Sequence, residues 1–275
     1  MSALGGVVQV RPPTLSIGSH MLLVEVNDLH QGYRGRPVIQ GVSLTLEAGA
    51  FGLLGPNGAG KSTLLRSLAT VSRPTSGTLK LFGHDVRKLK ELRAARREIG
   101  YLPQSFAYPA DFTVTDFVRH CAWLREVPRN DITQAAAEAI ARVELQSQAS
   151  TPLRKLSGGM LRRAGIAQAI AGRPTLIILD EPTTGLDPHQ RVRFRELVRD
   201  LAQDSCVLLS THLVEDVAHT CARMGVLYEG TLRFVGPPAD LQALSTADAP
   251  GDTPLERGYA TALGAPSVQD RAGAQ

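Results

Sequence analysis

Short apolar runs alternate with helical stretches along most of this chain. Leu22 to Val26 and Val42 to Leu46 alternate apolar and polar positions, the period of half-buried strands. Phe51 to Leu54 is a short apolar run feeding a glycine-rich turn, and Lys61 to Ala69 beyond it reads as a helix. Leu176 to Leu179 and Val207 to Leu209 are uninterrupted aliphatic runs, as expected of strands covered on both faces of a parallel sheet. From Phe106 to about Pro152 the pattern is mainly helical, with Asp131 to Val143 an Ala-rich helical stretch. Met160 to Ala171 reads as a further helix, and Met224 to Val235, interrupted by Glu229-Gly230, as a hairpin. The first twenty residues, punctuated by Gly, Pro and Ser, and the segment from about Ser245 to Gln275 lack such a period, and both are expected to be flexible. Met21, where the regular pattern begins, competes with Met1 as the start of translation.

Composition narrows the picture modestly. The 275 residues can hold one large α/β domain or two small ones. With 43% hydrophobic and only 5% aromatic residues, an aliphatic core of ordinary globular type is expected. A net charge of +4 is too small to argue for a nucleic-acid partner. The densest basic stretch, Arg87-Lys88-Leu89-Lys90 continuing through Arg93, Arg96 and Arg97, reads as a solvated helix face; attraction to anionic lipid headgroups is the sharper alternative. Cys121, Cys206 and Cys221 have no metal-ligand spacing and fit a reducing cytoplasm. No stretch approaches the apolar length needed to cross a bilayer, and no secretory signal is visible at the N-terminus. Any membrane-spanning helices would come from another polypeptide.

The chemistry is concentrated in a few short motifs. Gly55-Pro56-Asn57-Gly58-Ala59-Gly60-Lys61-Ser62-Thr63 fits the phosphate-binding pattern G-x-x-x-x-G-K-[ST]. Its glycines let backbone approach a polyphosphate, and the helix that follows offers N–H groups and a partial positive charge to the anion. Lys61 is placed to reach the β and γ oxygens, and the Ser62 hydroxyl to coordinate Mg²⁺. Asp180 and Glu181 follow four aliphatic residues and therefore emerge at the carboxyl end of a buried strand, where α/β sheets bind ligands. Asp180 is expected to hold Mg²⁺ through water, and Glu181 to act as general base. Ser157-Gly158-Gly159 opens the helix from Met160 and presents a second anion-facing helix end. Gln104, after Ile99 to Pro103, and His212, after Leu208 to Thr211, are delivered by strands to loops.

The order and spacing of these motifs resemble the ATP-binding cassette (ABC) ATPases over roughly residues 21 to 240. The resemblance implies an α/β fold: a RecA-like P-loop core with a mostly parallel sheet, an antiparallel β subdomain, and a helical subdomain inserted at about 106–156. It implies a cassette over 21–244, flanked by flexible segments 1–20 and 245–275. Gln104 is then a metal- and water-contacting residue, and His212 a γ-phosphate contact. Tyr33 is placed to stack on adenine, with plain packing as its competing role. Ser157 with Gly158 and Gly159 would close over ATP held by a second cassette, in a homodimer or a heterodimer. Leu186-Asp187-Pro188 resembles the loop that ties two such sites together. Met160 stands where many members carry Gln. The implied protein is a stand-alone ATPase subunit, on the inner face of the cell membrane, attached to a separately encoded permease. The Tyr-Leu-Pro-Gln and Ser-Gly-Gly-Met forms look most like subunits of ABC-2-type exporters. An importer subunit is the near alternative, and a soluble ABC protein acting on ribosomes or DNA the remoter one; no nucleic-acid partner is expected.

Overall fold

The computed structural model describes residues 22–33 and 35–264. Along the chain it forms β1 (Val24–Tyr33), β2 (Arg36–Leu46), β3 (Gly49–Leu54), α1 (Lys61–Leu68), β4 (Ser76–Leu81), β5 (His84–Asp85), α2 (Leu89–Arg97) and β6 (Ile99–Leu102). A helical stretch follows with α3 (Val114–Leu124), α4 (Ile132–Arg142) and α5 (Gly158–Ile170). Then come β7 (Leu176–Asp180), α6 (Pro188–Leu201), β8 (Cys206–Thr211), α7 (Val214–Ala218), β9 (Arg223–Tyr228), β10 (Thr231–Gly236), α8 (Pro238–Ala243) and α9 (Pro254–Gly264).

The six-stranded sheet runs β10-β9-β3-β8-β7-β6, with every pairing parallel except the β9–β10 hairpin. Every residue of β7 and β8 is buried, which is why their sequences are aliphatic without alternation. The register fixes where these strands stop. Leu54 lies opposite Thr211, Asp180 opposite Ser210, and Leu102 opposite Leu179. Four connections therefore leave the sheet along a single edge. The second sheet, β2-β1-β4-β5, is antiparallel. Its inward residues Val24, Val26, Leu29, Ile39 and Val42 join Leu64, Leu65 and Leu68 of α1 in one aliphatic core.

On the other face of the parallel sheet, α3, α4 and α5 pack together around Val118, Ala122, Ala136, Ala139, Ala164 and Ala167, small side chains that let helices approach closely. The Thr113 hydroxyl accepts from the Asp116 amide while the Asp116 carboxylate accepts from the Thr113 amide, a reciprocal cap that starts α3. The basic stretch at 87–97 lies on and before α2, and much of its charge is paired within the chain. Arg93 and Arg97 both bind Glu126 at the end of α3, Arg87 binds Asp85, and Arg96 donates to Thr70. That pairing favours a solvated face over a lipid-binding one.

One expectation is corrected. Of the segment 245–275, expected to be flexible, residues 254–264 form α9, with Ala262 fully buried, while residues 265–275 lie outside the described residues. Leu255, Tyr259 and Leu263 recur at four-residue spacing and pack on the core, a helical period that the surrounding Ala, Gly, Thr and Pro obscure in the sequence. Gly258 makes this packing possible: a Cβ there would stand 1.9 Å from the Leu241 carbonyl oxygen of α8. The 1–20 extension and the start at Met21 lie outside the described residues. Gly258→Val should lower stability by about 1–3 kcal/mol through overpacking, measured by urea unfolding; a flexible tail would leave the midpoint unchanged.

Candidate active site

The turn after β3, the carboxylates ending β7 and the loop after β8 meet because their strands stop in register. The phosphate-type turn closes on α1, whose N-cap Gly60 sits at φ 104° with no side-chain cap. A side chain there is strained: the backbone is left-handed, and a Cβ would come 2.9 Å from Ile39 Cδ1. The first amides of α1 are thus left without a side-chain acceptor, the arrangement that binds anions at helix N-termini. Pro56 is half-buried, Asn57 and Gly58 are exposed, Gly55 and Ala59 are buried, and Ser62 and Thr63 are half-buried.

Lys61 is only 7% exposed. Its Nζ donates to the carbonyl oxygens of Gly55 (2.6 Å) and Pro56 (3.2 Å) and lies 3.6 Å from Glu181 Oε1. Glu181 is itself 6% exposed and adopts φ +49°, a conformation that costs a non-glycine residue on the order of 1–3 kcal/mol. Its backbone is held at both ends. The amide donates to the Ser210 hydroxyl (3.0 Å) and carbonyl (3.2 Å), and the carbonyl accepts from Arg162 Nη2 (2.8 Å) and the Thr184 amide (3.2 Å). The carboxylate is thereby set between Lys61 and His212, whose Nδ1 donates to Glu181 Oε2 at 3.1 Å. His212 keeps a half-exposed ring, so the cluster reaches solvent on that side.

Asp180 is 1% exposed, and its Oδ1 accepts from the Ser210 hydroxyl at 2.6 Å. Among the described residues its other carboxylate oxygen accepts no hydrogen bond. Also among the described residues, no group of three or more His, Cys, Asp and Glu could hold a metal by itself. An oxygen set of Ser62 and Asp180, completed by phosphate oxygens, suits Mg²⁺, which is characteristically held by one or two carboxylates plus substrate phosphates. Tyr101, just before the Gln104 loop, has its phenol pushed up to about 12 by burial, with the Asp180 charge adding to the effect.

Gln104, Tyr33 and the Ser157-Gly158-Gly159 segment stand apart from this cluster. Gln104 is exposed; its carbonyl accepts from Arg162, and its side chain makes no hydrogen bond among the described residues. Tyr33 is 45% exposed at the tip of the β1–β2 pair, opposite Arg36. That tip adjoins the phosphate turn, since the Val38 carbonyl oxygen would lie 3.3 Å from a Cβ on Gly60. The Ser157-Gly158-Gly159 segment caps its own helix, the Ser157 hydroxyl accepting from the Met160 amide at 3.3 Å. Its helix α5 packs on α3, α4, β6 and β7, whereas α1 packs on β1, β2 and β7. Gly159 instead neighbours the Leu186-Asp187 loop: a Cβ there would stand 3.0 Å from Gln190 Oε1 and 3.4 Å from the Gly185 carbonyl oxygen.

Two residues of this edge carry no expectation from the sequence. Ser210 bridges Asp180 and Glu181, and Arg162 binds their carbonyls. The available signals were slight: a hydroxyl ending an otherwise aliphatic strand, and a cation facing inward from an apolar helix.

Fold and site together define a phosphate-loop nucleoside triphosphatase. The family described as ABC transporter matches residues 39–184. A Nod factor export ATP-binding protein I of Ralstonia nicotianae is 36% identical over 233 residues, covering 84% of this chain and 72% of that protein. The protein of the same name from Rhizobium meliloti is 38% identical over 217 residues, covering 78% of this chain and 64% of that one. A solved ATP-binding subunit of an ABC transporter superposes with a TM-score of 0.73 at 25% identity, over 80% of this chain and 92% of that structure. The chain belongs to the ABC transporter family. It is accordingly an ATP-binding, ATP-hydrolysing protein.

Ser210→Ala removes a partner from both the Asp180 carboxylate and the Glu181 amide. It should destabilise the fold by about 1–3 kcal/mol and cut ATP turnover about 100-fold through misplacement of the carboxylates. Thermal unfolding and steady-state phosphate release measure the two effects, and unchanged turnover would remove Ser210 from the site.

Proposed function

We propose that this chain powers an exporter by hydrolysing ATP between two cassettes. The observation that carries the reading is the buried Glu181 carboxylate, held between Lys61 at 3.6 Å and His212 at 3.1 Å beside the phosphate turn. In that position Glu181 can orient and polarise a water against a γ-phosphate, as general base. The amides of residues 58–63 cradle the phosphates. Lys61 turns from two neutral carbonyls to the more strongly charged β and γ oxygens. His212 contacts the γ-phosphate from the half-exposed flank, and Tyr33 stacks on adenine at the tip of the neighbouring hairpin. Ser62, Asp180 (through water) and Gln104 are the residues that would hold Mg²⁺, which supplies neutralisation of phosphate charge when bound.

The separation of Ser157, Gly158 and Gly159 from the chain's own phosphate turn supports a two-cassette arrangement. Each site is then completed by the Ser-Gly-Gly segment of a second cassette, identical to this chain or different. ATP binding closes the pair and hydrolysis reopens it, a shift between two states driven by nucleotide. Among the described residues no helix is long and apolar enough to cross a membrane. A separate integral membrane permease would receive the motion, holding this subunit on the inner face of the membrane. Export as the direction rests on the names of the relatives from Ralstonia and Rhizobium.

Glu181→Gln should bind ATP with wild-type affinity and lower kcat by about 10²–10⁴-fold. Equilibrium titration with labelled ATP and steady-state phosphate release measure the two quantities; an unchanged kcat would remove Glu181 from the chemistry.

A further inference from the structure

Arg162 is only 7% exposed, yet no carboxylate forms an ion pair with it among the described residues. It binds backbone instead. Nη1 donates to the carbonyl oxygens of Pro103 and Gln104, both at 3.0 Å. Nη2 donates to those of Asp180 and Glu181, the latter at 2.8 Å, and Nε to that of Pro182 at 3.4 Å. All three guanidinium nitrogens are thus used, on two segments that no strand pairing joins beyond Leu102 and Leu179. Burial pulls the Arg162 pKa down from its ordinary value, and the charges of Asp180 and Glu181 oppose that shift. A buried cation satisfied wholly by carbonyl oxygens is costly to assemble, and it costs more if its acceptors move.

We infer that Arg162 is a positioning residue for ATP hydrolysis, fixing the backbone beneath Gln104, Asp180 and Glu181 and tying it to the helix that begins at Ser157. The planar fork suits the task, because its donors diverge in fixed directions and reach both segments at once. A lysine offers a single ammonium, without donors that diverge in a fixed plane to five carbonyls. Arg162 lies five residues beyond Ser157, about 7.5 Å along the helix axis. A displacement of the Ser157–Gly159 end therefore passes directly to the carbonyls of Asp180 and Glu181. The phosphate turn and Lys61 receive no hydrogen bond from Arg162, so affinity for metal-free ATP, which rests on them, is insulated from its loss. The inference rests on the proposed role of Glu181 as general base.

The test uses the full chain with Arg162→Met, which keeps the stem and removes the fork, and Arg162→Lys, which keeps the charge. Wild type and Glu181→Gln serve as references. Labelled-ATP affinity without Mg²⁺, kcat with Mg²⁺ and unfolding temperature are measured for each. The expected result is ATP affinity within about twofold of wild type in both variants. Turnover should fall about 100-fold in Arg162→Met, the scale of a misplacement of about 1 Å, and at least about tenfold in Arg162→Lys. Turnover within about twofold of wild type in either variant overturns the inference. So does a parallel loss of kcat, ATP affinity and unfolding temperature, which marks a merely structural residue. If Arg162→Met does not fold, Arg162→Lys alone decides. A wild type that turns over no faster than Glu181→Gln would instead overturn the proposed role of Glu181, leaving the two failures distinguishable.

Discussion

A parallel sheet brings residues from distant parts of a chain together only if its strands end at one level. Here β3, β7 and β8 pair so that Leu54 faces Thr211 and Asp180 faces Ser210. A slip of one residue would turn each aliphatic side chain to the opposite face and carry Glu181 away from Lys61. Close packing opposes that slip, since Ile177, Leu179, Val207 and Leu209 fit one core and Leu176, Ile178, Cys206 and Leu208 the other. The core that excludes water from the sheet is therefore what sets the geometry of the charged edge.

That edge concentrates buried charge. Lys61, Asp180 and Glu181 are all buried. Removing such groups from water costs several kcal/mol apiece unless partners compensate. Compensation comes from the Lys61–Glu181 contact, the Ser210 hydroxyl, two carbonyls of the phosphate turn, and the His212 ring. The left-handed backbone at Glu181 adds strain that Ser210 and Arg162 together restrain. Neither device benefits folding as such; both hold a carboxylate pointed at a phosphate-binding turn.

Much of this was legible from sequence for a physical reason. A phosphate-binding turn needs glycines at fixed spacing because its backbone is what approaches the anion, so the proposed chemistry is written in residue types. Asp180, Glu181 and His212 each follow an aliphatic run, which places them at strand ends before any coordinate is known. Ser210 acts on the Asp180 carboxylate and the Glu181 amide, and Arg162 on carbonyl oxygens, and only slight local signals mark either. Their roles depend on which carbonyls the fold brings within reach. The same applies to α9, where Gly258 matters only because Leu241 passes beside it. Gln104 lies between these cases: the strand order delivers it to the edge where β7 also ends, while its side chain remains exposed and unbonded among the described residues.

We propose that Lys61, which here holds the carbonyls of Gly55 and Pro56, exchanges them for nucleotide phosphates. Titration of wild type and Lys61→Ala with MgATP, followed by calorimetry, tests it most directly. The account predicts saturable binding by the wild type and none detectable by Lys61→Ala, with both proteins folded by circular dichroism. Equal affinity in the folded variant would contradict it.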